Sequence, residues 1–176
     1  HNGNLSNLIV SKGYQLFLLQ NEHTLNYPQK SNTSYASWLG CDWETDANEC
    51  SAILKDIHPD WLIVDHYAIN HHWETRLSPH YEKIMAIDDL ANRKHNCDLI
   101  LDQTFGRKDI EYKNLVPERC RLLVGADYAL LRPEFSEWRA HSLNRRKTPQ
   151  FKHLFINLGG VDKNNVTKNV LLAINN

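Results

Sequence analysis

Four short, mostly apolar runs recur at close intervals through the middle of the chain: Trp61–Val64, Lys83–Ile87, Cys97–Leu101 and Arg121–Val124. Runs of this length and continuity are how strands of a buried parallel sheet read, because both of their faces are covered. Helical stretches flank them. Ala47, Cys50, Ile53, Leu54 and Ile57 fall at helical spacing over 45–57, with Thr45 as the expected cap and Pro59 as the stop. Residues 73–81 predict a helix that Pro79 shortens, and 109–115 a weaker one. Strand and helix in alternation predict an α/β fold with a doubly wound, Rossmann-like parallel sheet.

The outer parts read less regularly. Residues 4–12 carry a short helical stripe ending at Gly13, and Tyr14–Leu19 reads as a strand. A polar loop is expected over 20–34. Residues 1–139 then form a first domain, and the polar, basic span 140–150 reads as a linker. Leu154–Leu158, Gly159-Gly160 and the helical stretch through Val170, Leu171 and Leu172 read as the opening strand, loop and helix of a second domain over 151–176.

Charge excludes some partners. The net charge is −1 and both signs are interspersed, so no basic stripe points to nucleic acid, and no apolar run is long enough to span a bilayer. The four cysteines form no CxxC pair and read as reduced thiols of a cytoplasmic protein. His66, His71 and His72 lack metal-ligand spacing, and His71 and His72 are expected to diverge as solvated side chains, so no metal and no cofactor are expected.

Ligands of open parallel sheets bind beyond the carboxyl ends of the strands. Asp65-His66-Tyr67, Asp88-Asp89 and Asp102-Gln103 follow three successive strands and would share one rim. Tyr67 could hydrogen-bond a leaving or bridging oxygen while His66 or Asp65 orients it or a water. Packing of Tyr67 over the sheet and turn roles for the aspartates are the structural alternatives. In the run from Gly159 to Thr167, a glycine pair before a helix entrance suits an anion such as a diphosphate, and ordinary capping suits it equally.

These runs together resemble one family. Trp61–Tyr67, Ile87–Gln103, Leu115-Val116-Pro117, Gly125–Phe135 and Gly159–Thr167, with Gly3-Asn4-Leu5 and Trp38-Leu39-Gly40, are similar in order to UDP-2,4-diacetamido-2,4,6-trideoxy-β-L-altropyranose hydrolases of pseudaminic acid biosynthesis, which include proteins labelled as spore-coat polysaccharide biosynthesis enzymes. The resemblance implies a glycosyltransferase-B-type pair of Rossmann-like domains facing across a cleft. It implies a UDP-sugar substrate, from which water releases UDP without a metal. It implies catalytic roles for Tyr67, His66 and Asp65, and substrate contacts from Asp88, Asp89, Tyr128, Arg132, Gly159, Gly160, Asp162, Asn165 and Thr167. The family's opening Gly-His loop, which carries its expected catalytic histidine, has no counterpart here. The resemblance therefore implies a piece lacking both termini, inactive alone and weak in binding UDP. A glycosyltransferase on the same scaffold and a non-catalytic nucleotide-sugar-binding module are the other readings.

Overall fold

The computed structural model describes residues 5–19, 35–150, 152–158, 162 and 164–174. The chain forms two compact units, His1–Leu130 and Leu131–Asn176.

The first unit carries a four-stranded sheet, β1 (Trp61–Val64), β2 (Lys83–Ile87), β3 (Leu99–Asp102) and β4 (Arg121–Val124), all parallel and in the order β1-β2-β3-β4. Three of the four strands fall on the residues read from the apolar runs. The third starts two residues later than expected because Asp98 spends its side chain on the Ile84 N–H at 3.0 Å, and it extends to Asp102. Ahead of the sheet lie α1 (Ser6–Ser11), a 3-10 turn at Ala36–Trp38 and α2 (Trp43–Ile57). Helix α3 (His71–Leu77) and a 3-10 turn at Ser78–His80 cross from β1 to β2, and Pro79 sits where the α-helix gives way to that turn. Residues 109–115 yield only a 3-10 turn, Asp109–Tyr112.

Helix α2 begins before the expected cap. Asp42 is the capping residue: its two carboxylate oxygens accept from the Thr45 N–H at 2.9 Å and the Thr45 hydroxyl at 2.8 Å. Thr45 is thus the capped residue, since a carboxylate three positions earlier takes both of its donors. The core lies between α2, α3 and one face of the sheet, where Ala47, Trp73, Leu77, Ile84, Ala86 and Ile100 are buried together. Trp73 carries its indole N–H to Asp46 at 2.7 Å, so the largest core aromatic leaves no buried donor unpaired. On the other face Ile63 of β1 is 60% exposed, so winding on both faces does not extend to this edge strand among the described residues.

Tyr14–Leu19 forms no strand. The run pairs with no neighbour among the described residues, and Leu18 is 73% exposed, so its apolar character finds neither a ladder nor a core. The loop expected at 20–34 lies outside the described residues. In the second unit Pro133–Arg145 forms α4 and Val166–Ile174 forms α5. Helix α4 takes in the first part of the 140–150 span read as a linker, because a proline at its first position and few helix breakers carry it onward. Leu154–Leu158 forms no strand among the described residues, and Phe155 is 85% exposed. Among the described residues no helix is long and apolar enough to cross a membrane.

Candidate active site

A cavity of about 400 Å³ opens at the carboxyl ends of the first three strands, lined by Asp65 and Tyr67 after β1, by Ile87, Asp88 and Asp89 at the end of β2, and by Gln103 and Thr104 after β3. Parallel strands in register bring their ends to one edge, and this makes neighbours of residues far apart in sequence. Tyr67 donates its hydroxyl to Asp89 Oδ2 at 3.0 Å. That bond, then partial burial, raises the phenol above its ordinary pKa, so Tyr67 stays protonated. Its ring lies 5.1 Å from Tyr35 and 5.7 Å from Trp38, an aromatic cluster at the cavity's edge. Asp65 and Asp89 are exposed carboxylates of this cavity.

The other two strand-end aspartates do structural work. Asp88 is 2% exposed; its Oδ1 accepts from Arg93 at 2.6 Å, and its Oδ2 from the Ala91 N–H and the Tyr112 hydroxyl at 2.9 Å each. Burial alone would raise its pKa, but the Arg93 guanidinium and these hydrogen bonds hold it below the ordinary carboxylate value. Asp102, fully buried, does not line the cavity. It accepts from the Thr104 N–H at 2.8 Å and Arg107 Nε at 2.6 Å, and it shares with Asp88 the single proton of the Tyr112 hydroxyl, which lies 2.9 Å from each carboxylate. Arg107 continues to Glu111 at 2.6 Å and to the Asp89 carbonyl at 2.5 Å. A continuous chain of bonds therefore runs from Arg93 through Asp88, Tyr112, Asp102 and Arg107 to the backbone of Asp89, whose carboxylate holds Tyr67.

Arg93, Arg107 and Tyr112 were not among the residues singled out in the sequence. A signal for the arginines exists: each stands five positions after the strand-end aspartate it binds, Asp88 to Arg93 and Asp102 to Arg107. Thr104 was missed because it stands one residue beyond the Asp102-Gln103 pair read as the strand end.

His66 turns back on its own loop, where Nδ1 accepts the Ala68 N–H at 3.1 Å, and it does not line the cavity. The expected divergence of His71 and His72 does not occur. Their rings lie 3.9 Å apart, with His72 stacked on Trp43 at 5.7 Å, because His71 opens α3 and no preceding turn restricts its side chain. Tyr128 ends a 3-10 turn, is exposed and does not line the cavity. Arg132 caps α4 and lines a separate groove along that helix with Trp138 and Arg139. Gly159 and Gly160 lie outside the described residues. Asp162 caps α5, accepting from the N–H groups of Val166 and Thr167 at 2.8 Å each, and Asn165 takes a left-handed φ of 50°. The Asp162 carboxylate thus occupies donors that an anion at this helix end would use.

No protein-family profile matches the chain. Over 116 residues, 65% of its length, it is 34% identical to the UDP-2,4-diacetamido-2,4,6-trideoxy-beta-L-altropyranose hydrolase of Campylobacter jejuni, and the match covers 40% of that protein. Over 131 residues it is 27% identical to an uncharacterized protein of Methanocaldococcus jannaschii, covering 27% of it. The chain spans less than half the length of these curated relatives, and it is a distant relative of a hydrolase.

Proposed function

We propose that this chain supplies the sugar-facing lobe of a nucleotide-sugar hydrolase that releases UDP from a UDP-diacetamido-trideoxy-hexose in the synthesis of pseudaminic acid or a similar surface glycan. One observation carries this reading: Tyr67, bonded to Asp89, stands with Asp65 in a cavity rich in acceptors at the strand tips. Cleavage at an anomeric carbon develops positive charge on the sugar ring, which carboxylates stabilise. The same carboxylates repel a diphosphate, and the two arginines nearby are already bound to Asp88 and Asp102. The cavity therefore suits the sugar and the attacking water.

In this reading Asp65 accepts a proton from the water as it adds to the anomeric carbon. Asp89 holds Tyr67 so that its remaining lone pairs accept an acetamido N–H or a sugar hydroxyl. His66 keeps the Asp65–Tyr67 turn in shape through its bond to Ala68. UDP is assigned to a second lobe of glycosyltransferase-B type that begins in 151–176, with Gly159, Gly160, Asn165 and Thr167 at its nucleotide loop and Asp162 shaping that loop as the cap of α5.

A panel of UDP-sugars presented to the complete protein tests the reading through UDP release. Release from a diacetamido-trideoxy sugar with water as the only acceptor is expected. Release that appears only with an added sugar or lipid acceptor would make the protein a glycosyltransferase. Binding without release from any UDP-sugar would make it a binding module.

A further inference from the structure

Two of the four cysteines meet across the sheet, at the end opposite the cavity. Cys97 precedes β3 and Cys120 precedes β4, and their sulfurs lie 3.6 Å apart. The Leu99–Arg121 register and the bond from the Arg121 N–H to the Asp98 carbonyl make them diagonal neighbours on adjacent parallel strands. Strands in a sheet lie about 4.8 Å apart and rise about 3.3 Å per residue, so a diagonal pair is separated by about 5.8 Å, within the roughly 4.4–6.8 Å that separates the Cα atoms of a disulfide. The sulfurs need approach by only about 1.5 Å to reach bonding distance.

We propose that Cys97 and Cys120 are a reactive dithiol that closes to a disulfide by exchange with a small-molecule disulfide such as glutathione disulfide. The two thiols have unequal parts. Cys120 is half-buried, whereas Cys97 is fully buried. The hydrogen bond from Cys97 lowers the Cys120 pKa against its burial, helped by the Ile100 backbone and the Arg119 guanidinium. The same bond, and then burial, raises Cys97. Burial and the Asp46 carboxylate push Cys41 up to about 11 and Cys50 up to about 12, so neither competes as a thiolate.

The chemistry balances. The Cys120 thiolate attacks one sulfur of the reagent, forming a mixed disulfide and releasing one thiolate. Cys97 gives up its proton, and its sulfur attacks Cys120 Sγ, releasing the second. Two protein thiols are oxidised by two electrons, one reagent disulfide is reduced to two thiols, and the two protein protons end on those thiols. The closed loop, residues 97–120, holds Gln103, Thr104, Arg107 and Tyr112, the β3 side of the cavity and its support.

The test uses the folded chain in glutathione buffers of increasing oxidised fraction, quenched with acid and alkylated. Titratable thiols should fall from four to two, and non-reduced peptide maps should join Cys97 to Cys120 while Cys41 and Cys50 remain alkylated. In Cys97→Ala one glutathione should stay on Cys120. Four surviving thiols, a mixed disulfide that persists on Cys120 in the unsubstituted chain, or any other pairing would overturn the proposal. The peptide map of the unsubstituted chain decides it even where the variant folds poorly.

Discussion

The Tyr67 hydroxyl and Asp89 Oδ2, 3.0 Å apart, tie the tip of β1 to the tip of β2 at the cavity edge. Replacing Tyr67 with phenylalanine removes this bond and the hydroxyl while leaving the ring against Tyr35 and Trp38. In the complete protein, kcat should fall more than about tenfold, with an unchanged circular dichroism spectrum and melting temperature. Wild-type turnover in Tyr67→Phe would reduce Tyr67 to a packing residue.

Tyr112 should matter to stability more than to chemistry. Its hydroxyl is buried between Asp88 and Asp102, 2.9 Å from each, and burial followed by the Asp88 charge raises its pKa far above an ordinary phenol. Tyr112→Phe removes the one hydroxyl proton that the two buried carboxylates share. A loss of about 1–3 kcal/mol is expected for buried polar groups left short of a partner. Urea unfolding should show a lower midpoint at constant slope, and an unchanged midpoint would mean that the two arginines satisfy both carboxylates alone.

The sheet was legible because a buried parallel strand writes itself as a compact apolar run, so Trp61–Val64, Lys83–Ile87 and Arg121–Val124 appear at their own boundaries. The same signal misled at Tyr14–Leu19, since apolar character does not say whether a partner strand is beside it. The rim was legible in part. Strand ends gave Asp65, Tyr67, Asp88 and Asp89, but not which aspartate is exposed in the cavity and which is buried under an arginine. That division depends on long-range partners such as Tyr112, which lies 24 residues beyond Asp88.

Helix α3 carries a pH response. Burial, and then the neighbouring His72, lower the His71 pKa, and its Nδ1 is buried without a partner among the described residues. The unfolded chain therefore binds a proton at His71 more readily than the folded one. The stability that neutral His71 contributes is complete above the unfolded value of about 6.5 and is lost as pH falls from there toward the folded pKa. Melting temperature should drop over that window, and His71→Gln, which cannot titrate, should flatten the drop. An equal slope in His71→Gln would assign the response to another group.

Glu74 makes the most exacting demand on a single side chain. It is fully buried on α3; Oε1 lies 2.6 Å from His95 Nδ1, and Oε2 accepts the Asn96 N–H. A carboxylate oxygen only accepts, so Nδ1 carries the proton, and His95 Nε2 has no partner among the described residues. Glu74→Ala would leave the buried imidazole N–H and the half-buried Asn96 N–H both unpaired, a loss of about 1–3 kcal/mol for each buried donor left without a partner. Glu74→Gln keeps one acceptor for His95 but turns an amide NH₂ toward the Asn96 N–H, so it should fall between the wild type and alanine. The damage should reach the cavity, because residues 93–96 are fixed to α3 through this pair and through the His71 N–H on the Lys94 carbonyl at 2.9 Å, and to the loop before it through Arg93 on the Ile69 carbonyl at 2.7 Å. Amide exchange in Glu74→Gln should accelerate at His71 and Asn96 before it does in β3. Uniform acceleration across the sheet would show that Glu74 supports the whole unit and has no particular hold on the segment behind Asp88.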